Sequence, residues 1–279
     1  MDPQSNILNT VRTPPIGVIA GNGVYPRLFA TAVRERGNDV VAVCHLGETD
    51  PSIEELVQTC VWIKVGELGR MIDTFVKHGV REVAMAGGIN RIKLFGGVKL
   101  DLRGAALLAK LRSTKDDVIM RGVAGELEKL GIAVIPCTRF MEQHLVDLGV
   151  LTKSKPTAEE EADIEVGRVA LQAMAPHHIG QLVVVRDGVV VAVEAVEGSD
   201  AAIRRGGELG GRGAVVVKYA KSTQDMRFDV PTVGLKTVEI MAEVKARVLA
   251  LEAGKTLLLD REQVLRFADS HKISIVGCS

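Results

Sequence analysis

Residues 14–44 read PPIGVIAGNGVYPRLFATAVRERGNDVVAVC, and this stretch decides the fold class. Ile16 to Ala20 is a short apolar run with the β-branched content of a buried strand. Gly21-Asn22-Gly23 is a turn. Pro26 suits the first turn of the helix that follows, where its missing N–H costs nothing. Leu28, Phe29, Ala32 and Val33 give that helix an apolar face, Gly37-Asn38 ends it, and Val40 to Cys44 is a second strand. Two strands joined through a helix make a parallel pair of the Rossmann type.

The same alternation continues downstream. Strands are expected at Val61 to Val65, Val83 to Ala86 and Ile132 to Pro136. Helices are expected at Glu67 to His78, Leu102 to Leu111 and Asp116 to Leu130. These strands are too uniformly apolar to have one wet face, so the sheet is covered on both sides. Near Thr152-Lys153-Ser154-Lys155-Pro156 the pattern turns polar and turn-rich, which marks a boundary. We therefore expect an N-terminal Rossmann-like parallel-sheet domain over 14–145 and a C-terminal mixed-sheet α/β domain over 156–279. Residues 1–13 read as a loose leader.

The second half differs in kind. Thr157 to Met174 is a helix with an acidic start. Leu182 to Arg186 and Val189 to Val196 flank Asp187-Gly188, a two-residue hairpin signal. Ser199 and Asp200 cap a short helix through Arg205, and the five glycines of residues 206–213 suggest a mobile connection. Ala214 to Val217 is a buried strand, and Lys236 to Leu251 reads as one helix. Thr256 to Leu259, Glu262 to His271 and Ile273 to Val276 complete a strand, helix and strand.

Composition narrows the function. Lys plus Arg equals Asp plus Glu at 35 each, and aromatics are 3%. A neutral chain with few aromatics lacks both the basic surface and the stacking platform of a nucleic-acid binder. No two of Cys44, Cys60, Cys137 and Cys278 form a C-x-x-C pair, so neither a zinc ribbon nor a redox motif is expected, and Cys44 and Cys137 read as core. The six histidines show no ligand spacing. No apolar run is long enough to span a bilayer. A reducing, cytoplasmic location is expected. Peripheral contact with a membrane surface and a homo-oligomer are both compatible with the sequence.

Three stretches carry candidate chemistry. Gly17-x-x-x-Gly21-x-Gly23 allows a backbone to approach a phosphate at a helix N-terminus, or equally a tight turn needing glycine. A dinucleotide fingerprint is incomplete, because Pro26 stands where the third glycine belongs. Cys44-His45-Leu46, moreover, offers no acid for a ribose. Gly87-Gly88-Ile89-Asn90-Arg91 leaves a second strand on the same sheet edge, with Asn90 and Arg91 able to meet a polar or phosphorylated ligand. The third stretch, Gly213 to Lys236, runs from a buried strand into a polar loop with Lys218, Lys221, Gln224, Asp225, Arg227 and Asp229. Cations beside carboxylates suit phosphate with a divalent metal or an activated water. Glu194 and Glu197 are explained by solvation at a strand end, and Asp116-Asp117 by helix capping. Neither a G-x-S-x-G elbow nor a P-loop is present.

Several segments together resemble one family: IGVIAGNGVYP (16–26), VGELGRM (65–71), AMAGGINR (84–91), TKDDVIMRGVAGELEKLGI (114–132), IGQLVVVRDGVVVAVEAVEGSDAAIRR (179–205), AKSTQDMRFDVPTVGLKTVE (220–239) and LLLDRE (257–262). The chain resembles the LpxI-type UDP-2,3-diacylglucosamine pyrophosphatases of Gram-negative lipid A synthesis. EAVEGSDAAIRR and RFDVPTVG are the most specific of these matches. The resemblance implies two α/β domains with the ligand in a cleft between them. It implies magnesium or another divalent cation, and hydrolysis of UDP-2,3-diacylglucosamine to UMP and 2,3-diacylglucosamine 1-phosphate. The essential acid of the R-x-D-x-P-T motif maps to Asp229, as catalytic group and metal ligand. Substrate contacts map to Gly21, Asn22 and Gly23, to Gly88 and Asn90, to Ser199 and Asp200, and to Gln181, Lys218, Gln224 and Thr232. Lys218, Lys221, Arg204 and Arg205 are available for phosphate. Two rival readings are a nucleotide-dependent oxidoreductase using the first glycine loop and a non-catalytic glycolipid or nucleotide carrier.

Overall fold

The structure is a computed structural model that describes residues 13–89, 99–111, 116–177, 179–221 and 224–279. The chain divides into two compact units, one up to Phe140 and one from Met141.

In the first unit β1 (Ile16–Ala20), α1 (Tyr25–Glu35), β2 (Val40–His45), a 3-10 turn (Pro51–Leu56), β3 (Thr59–Ile63), α2 (Leu68–Lys77) and β4 (Glu82–Ala86) follow in order. After them come α3 (Leu102–Lys110), α4 (Asp116–Glu128) and β5 (Ala133–Val134). The five strands are all parallel, in the order β3-β2-β1-β4-β5. Burial is complete along β2 and nearly so along β1 and β4, as expected for strands covered on both faces, and it falls off at the edge strands β3 and β5. Right-handed crossovers running in opposite directions from β1 to β2 and from β3 to β4 put α1 and α2 on opposite faces. Strand order reverses at β1, so the C-terminal ends of β1 and β4 form the switch point where open α/β sheets bind ligands.

The second unit contains β6 (Gly149–Val150), α5 (Ala158–Met174), β7 (Leu182–Arg186), β8 (Val189–Val193), α6 (Ser199–Gly210), β9 (Val215–Lys218) and β10 (Thr232–Val233). It ends with α7 (Leu235–Glu243), β11 (Val248–Glu252), β12 (Leu257–Leu258), α8 (Arg261–Ser270) and β13 (Ser274–Cys278). Its main sheet runs β6-β13-β11-β9-β7-β8, with β9, β11 and β13 parallel and β6 and β7 reversed. The period-2 geometry of a strand splits each valine run between two cores. Val183, Val185, Val215 and Val217 pack with Ile164 and Leu171 of α5. Leu182, Val184 and Val216 face α6, α7 and α8 through Ile203, Val238 and Val264. Residues 146–155, left between the two expected domains, join this unit, since β6 pairs with β13.

Local chemistry explains the element boundaries. Thr157 and Glu160 form a reciprocal capping box at the start of α5. Asp187 (φ 49°) and Gly188 (φ 77°) both adopt positive φ, as a type I′ hairpin requires. Their N–H groups donate to the Asp163 carboxylate of α5, at 3.0 and 2.6 Å.

Two expectations are corrected. The helix read over Lys236 to Leu251 ends at Glu243, and Val248–Glu252 is a central strand between β9 and β13. Lys245 at φ 58° breaks the helix, and Arg247 N bonds to Ala214 O to begin the new pairing. The glycines of 206–213, read as a mobile connection, instead extend α6 to Gly210. A Cβ on Gly206 would lie 2.5 Å from Val184 Cβ, and one on Gly207 would lie 2.3 Å from Val244 Cβ. Glycine there lets the helix sit directly on the sheet and on the turn after α7.

Candidate active site

At the switch point of the first unit, the two glycine loops close on each other. Gly21 N donates to Ala86 O and Asn22 N to Gly88 O, each at 2.8 Å. A Cβ on Gly21 would meet Gly88 O at 2.3 Å, and one on Gly87 would meet Asn22 O at 2.4 Å. Glycine is thus required for loop-to-loop contact, and the N–H groups of Gly21 and Asn22 are committed to the neighbouring loop. Gly23, at φ 81°, leads into α1, whose N-terminus no side chain caps. The Asn22 amide donates to Glu48 (3.3 Å). His45 is buried at the end of β2, where a dinucleotide fold keeps its ribose-binding acid. Its Nδ1 lies 2.9 Å from Ala20 O, which also accepts from the Thr49 hydroxyl at 2.6 Å. Burial holds the imidazole pKa below its usual value, against the opposing pull of the Ala20 carbonyl and Glu48. Asn90 and Arg91 lie outside the described residues, as do the side chains of Asp116 and Asp117.

The charged residues gather in the second unit, along one edge of the main sheet. β9 ends there at Lys218, β8 ends just before Glu194, and antiparallel β7 begins just after Gln181. Glu194 and Lys218 retain only 7% and 6% of their surface. One carboxylate oxygen of Glu194 accepts from Gln181 N (3.1 Å) and the other from the Ser199 hydroxyl (2.8 Å). Lys218 Nζ donates to the same hydroxyl at 3.1 Å. Burial lowers the Lys218 pKa, and Glu194, Asp229 and Asp200 act on it in the opposite sense. Three carboxylates therefore favour the charged form of one buried amine.

The loop before β10 adds the rest. Gln224 donates to Asp229 O (2.8 Å) and to the Gln181 side chain (3.3 Å), and its own oxygen accepts from Lys221 N (2.9 Å). Asp225 pairs with Arg227 through two nitrogens, at 3.0 and 2.9 Å. Asp229 lies at the surface of the loop and favours the charged form of Lys218. Leu257 N bonds to Pro231 O, and β10 pairs with β12, so the backbone just past Asp229 is anchored. Lys236 reaches Asp200 at 2.7 Å.

Of the expected site residues, the structure brings together Gln181, Ser199, Asp200, Lys218, Gln224 and Asp229. The Thr232 hydroxyl turns back to Val230 O (2.9 Å). Gly21, Asn22, Gly23 and Gly88 form the switch point of the first unit. Arg204 and Arg205, expected to serve phosphate, are engaged by Glu243 and Glu197. Glu194 is not solvated at a strand end, as its sequence position suggests, but buried at the centre of the network. A carboxylate one residue past an apolar strand and five before a helix-starting serine was the available signal. Among the described residues no three His, Cys, Asp or Glu side chains form a ready metal cage. An exposed Asp229 carboxylate near Asp200 is a donor set of the kind magnesium accepts, since magnesium takes one or two carboxylates and keeps its waters.

Residues 15–144 match the model of the LpxI N-terminal domain, and residues 147–276 match that of the LpxI C-terminal domain. A curated relative, the UDP-2,3-diacylglucosamine pyrophosphatase LpxI of Caulobacter vibrioides, is 32% identical over 94% of this chain and 96% of its own length. Among solved structures, an L-amino acid ligase from Bacillus licheniformis superposes at a TM-score of 0.29 with 13% identity, over 67% of this chain and 41% of the ligase. The biotin carboxylase subunit of a pyruvate carboxylase gives 0.27 and 14%, over 62% and 35%. Scores this low bear on neither the fold nor the activity.

Proposed function

The chain belongs to the LpxI family, and from that premise we propose that it hydrolyses the pyrophosphate bond of UDP-2,3-diacylglucosamine, releasing UMP and 2,3-diacylglucosamine 1-phosphate. The observation that carries this reading is the buried Lys218 ammonium, linked through Ser199 to Glu194, whose charged form Asp200 and Asp229 also favour. Pyrophosphate cleavage develops negative charge on the leaving phosphate, and a preorganised ammonium in a dry setting stabilises that charge more than it would in water. Asp229, exposed on its loop, is positioned either to hold a divalent cation or to take a proton from the attacking water. When bound, magnesium would neutralise phosphate charge; Asp229 is the residue that would hold it. Ser199, Gln181 and Gln224 supply neutral polar groups for orienting the substrate, and Asp200 is itself held by Lys236.

Among the described residues no helix is long and apolar enough to cross a membrane. A substrate with two acyl chains is presented at a lipid surface, so we place the reaction at the cytoplasmic face of the inner membrane, by peripheral contact. The test is incubation of the purified protein with UDP-2,3-diacylglucosamine, with magnesium or with EDTA, and chromatographic assay of UMP. Release of UMP that EDTA abolishes is expected. Absence of UMP in the presence of magnesium, manganese and cobalt would overturn the reading.

A further inference from the structure

A buried carboxylate is costly to desolvate and persists where specific partners need its charge. Glu194 has three such partners on three elements. They are the main chain of Gln181 before β7, the hydroxyl of Ser199 at the start of α6 and, beyond that hydroxyl, the ammonium of Lys218 at the end of β9. Its own backbone is fixed as well. Glu194 N donates to Leu182 O at 2.9 Å, and Gly180 packs so closely that a Cβ there would lie 2.0 Å from Glu194 O.

We propose that Glu194 is a positioning residue for pyrophosphate cleavage: through the Ser199 hydroxyl it sets where the Lys218 ammonium points. This inference rests on the activity proposed above. The hydrogen bonds have one consistent direction. Glu194 can only accept, so Ser199 donates to it, and the serine lone pairs are left to accept from Lys218. Asp200 on α6 and Asp229 on the loop before β10 are the other carboxylates that favour the charged form of Lys218. Neither is bonded to Ser199 Oγ in the way Glu194 is. An amide at position 194 forfeits one of the two bonds in either orientation, the Gln181 anchor in one and the Ser199 relay in the other. Its NH2 opposes the Gln181 N–H in one and displaces the Ser199 hydroxyl hydrogen toward Lys218 in the other. Each places donor against donor.

The test is a double-mutant cycle of Glu194→Gln with Ser199→Ala, scored by kcat, KM and thermal midpoint on UDP-2,3-diacylglucosamine. Misaligning a group that acts on the transition state costs up to about a hundredfold in rate. Glu194→Gln is therefore expected to lower kcat by about that factor, while KM stays within about threefold. In the Ser199→Ala background the same substitution should cost less than about threefold, because the relay is already cut. Glu194→Asp, which keeps the charge on a shorter stem, should recover part of kcat. It also carries the cycle if the glutamine variant does not fold. The inference is overturned if Glu194→Gln keeps kcat within about twofold, or if the two substitutions multiply independently. A loss of activity that merely follows the unfolded fraction overturns it too. A wild-type chain with no turnover would remove the proposed activity and this role together. An active wild type matched by the glutamine variant would remove this role alone.

Discussion

The two units present their sheet edges differently. In the first, the edge at the switch point is built from main chain, with Gly21 and Asn22 bonded to the exit of β4 and no room for a Cβ between the loops. In the second, the equivalent edge is built from side chains, with Glu194, Ser199 and Lys218 joined and two more carboxylates favouring the charged amine. One edge supplies shape and the other supplies charge. Substitution should therefore damage the first unit through its stability and the second through its turnover.

The largest effect tests the second half of that contrast. Asp229→Ala should lower kcat by about a thousandfold. Because the residue is exposed, its thermal midpoint and circular dichroism should match the parent. Retained turnover would shift the chemistry to Asp200. Gly21→Ala tests the first half. A Cβ 2.3 Å from a carbonyl oxygen cannot be relieved by a side-chain rotation. Denaturant unfolding should show a loss of about 3 kcal/mol. An unchanged midpoint would mean the loops separate freely.

Gly207→Ala blurs the contrast on purpose, since it damages shape in the unit that carries charge. Helix propensity favours alanine by about 1 kcal/mol, but overpacking against Val244 costs roughly 1–3 kcal/mol. The net change should be a modest destabilisation with a measurable fall in kcat, because α6 carries Ser199 and Asp200. Equal activity would show that the helix seat and the site are uncoupled. The smallest effect concerns His45. Its folded pKa lies below the ordinary histidine value of about 6.5, so the unfolded chain binds more protons in that window. Stability is then full above that pH and falls as pH drops toward the folded pKa. The thermal midpoint of the parent should fall more steeply between pH 7 and 5 than that of His45→Gln. Parallel curves would mean that His45 protonates freely in the folded unit.

These contrasts also explain which parts were legible in the sequence. β1 and β7 are read to the residue, because a short apolar run bounded by turn residues has one interpretation. Asp187-Gly188 is legible for the same reason. β11 is not, since Ala, Leu, Glu and Lys between 236 and 251 all favour helix. Only Lys245 in the left-handed region, and a vacant place between β9 and β13, reverse that preference. The glycines of α6 look like a linker because their partners, Val184 and Val244, lie far away in sequence. The polar loop around Asp229 is visible from its charges. The burial of Glu194 is not, because nothing near it in sequence reveals that three elements converge on it.

The bond from Asp163 to the hairpin turn has a kinetic consequence. It ties α5 to residues 24 and 25 positions further on, so the helix and hairpin close through short loops. The pairings of β9 with β7 and with β11 need longer closures. Local contacts form faster than distant ones, so the α5–hairpin segment should assemble early and template the sheet. Asp163→Asn would then slow refolding about as much as it destabilises the unit. A change confined to the unfolding rate would assign the early step elsewhere.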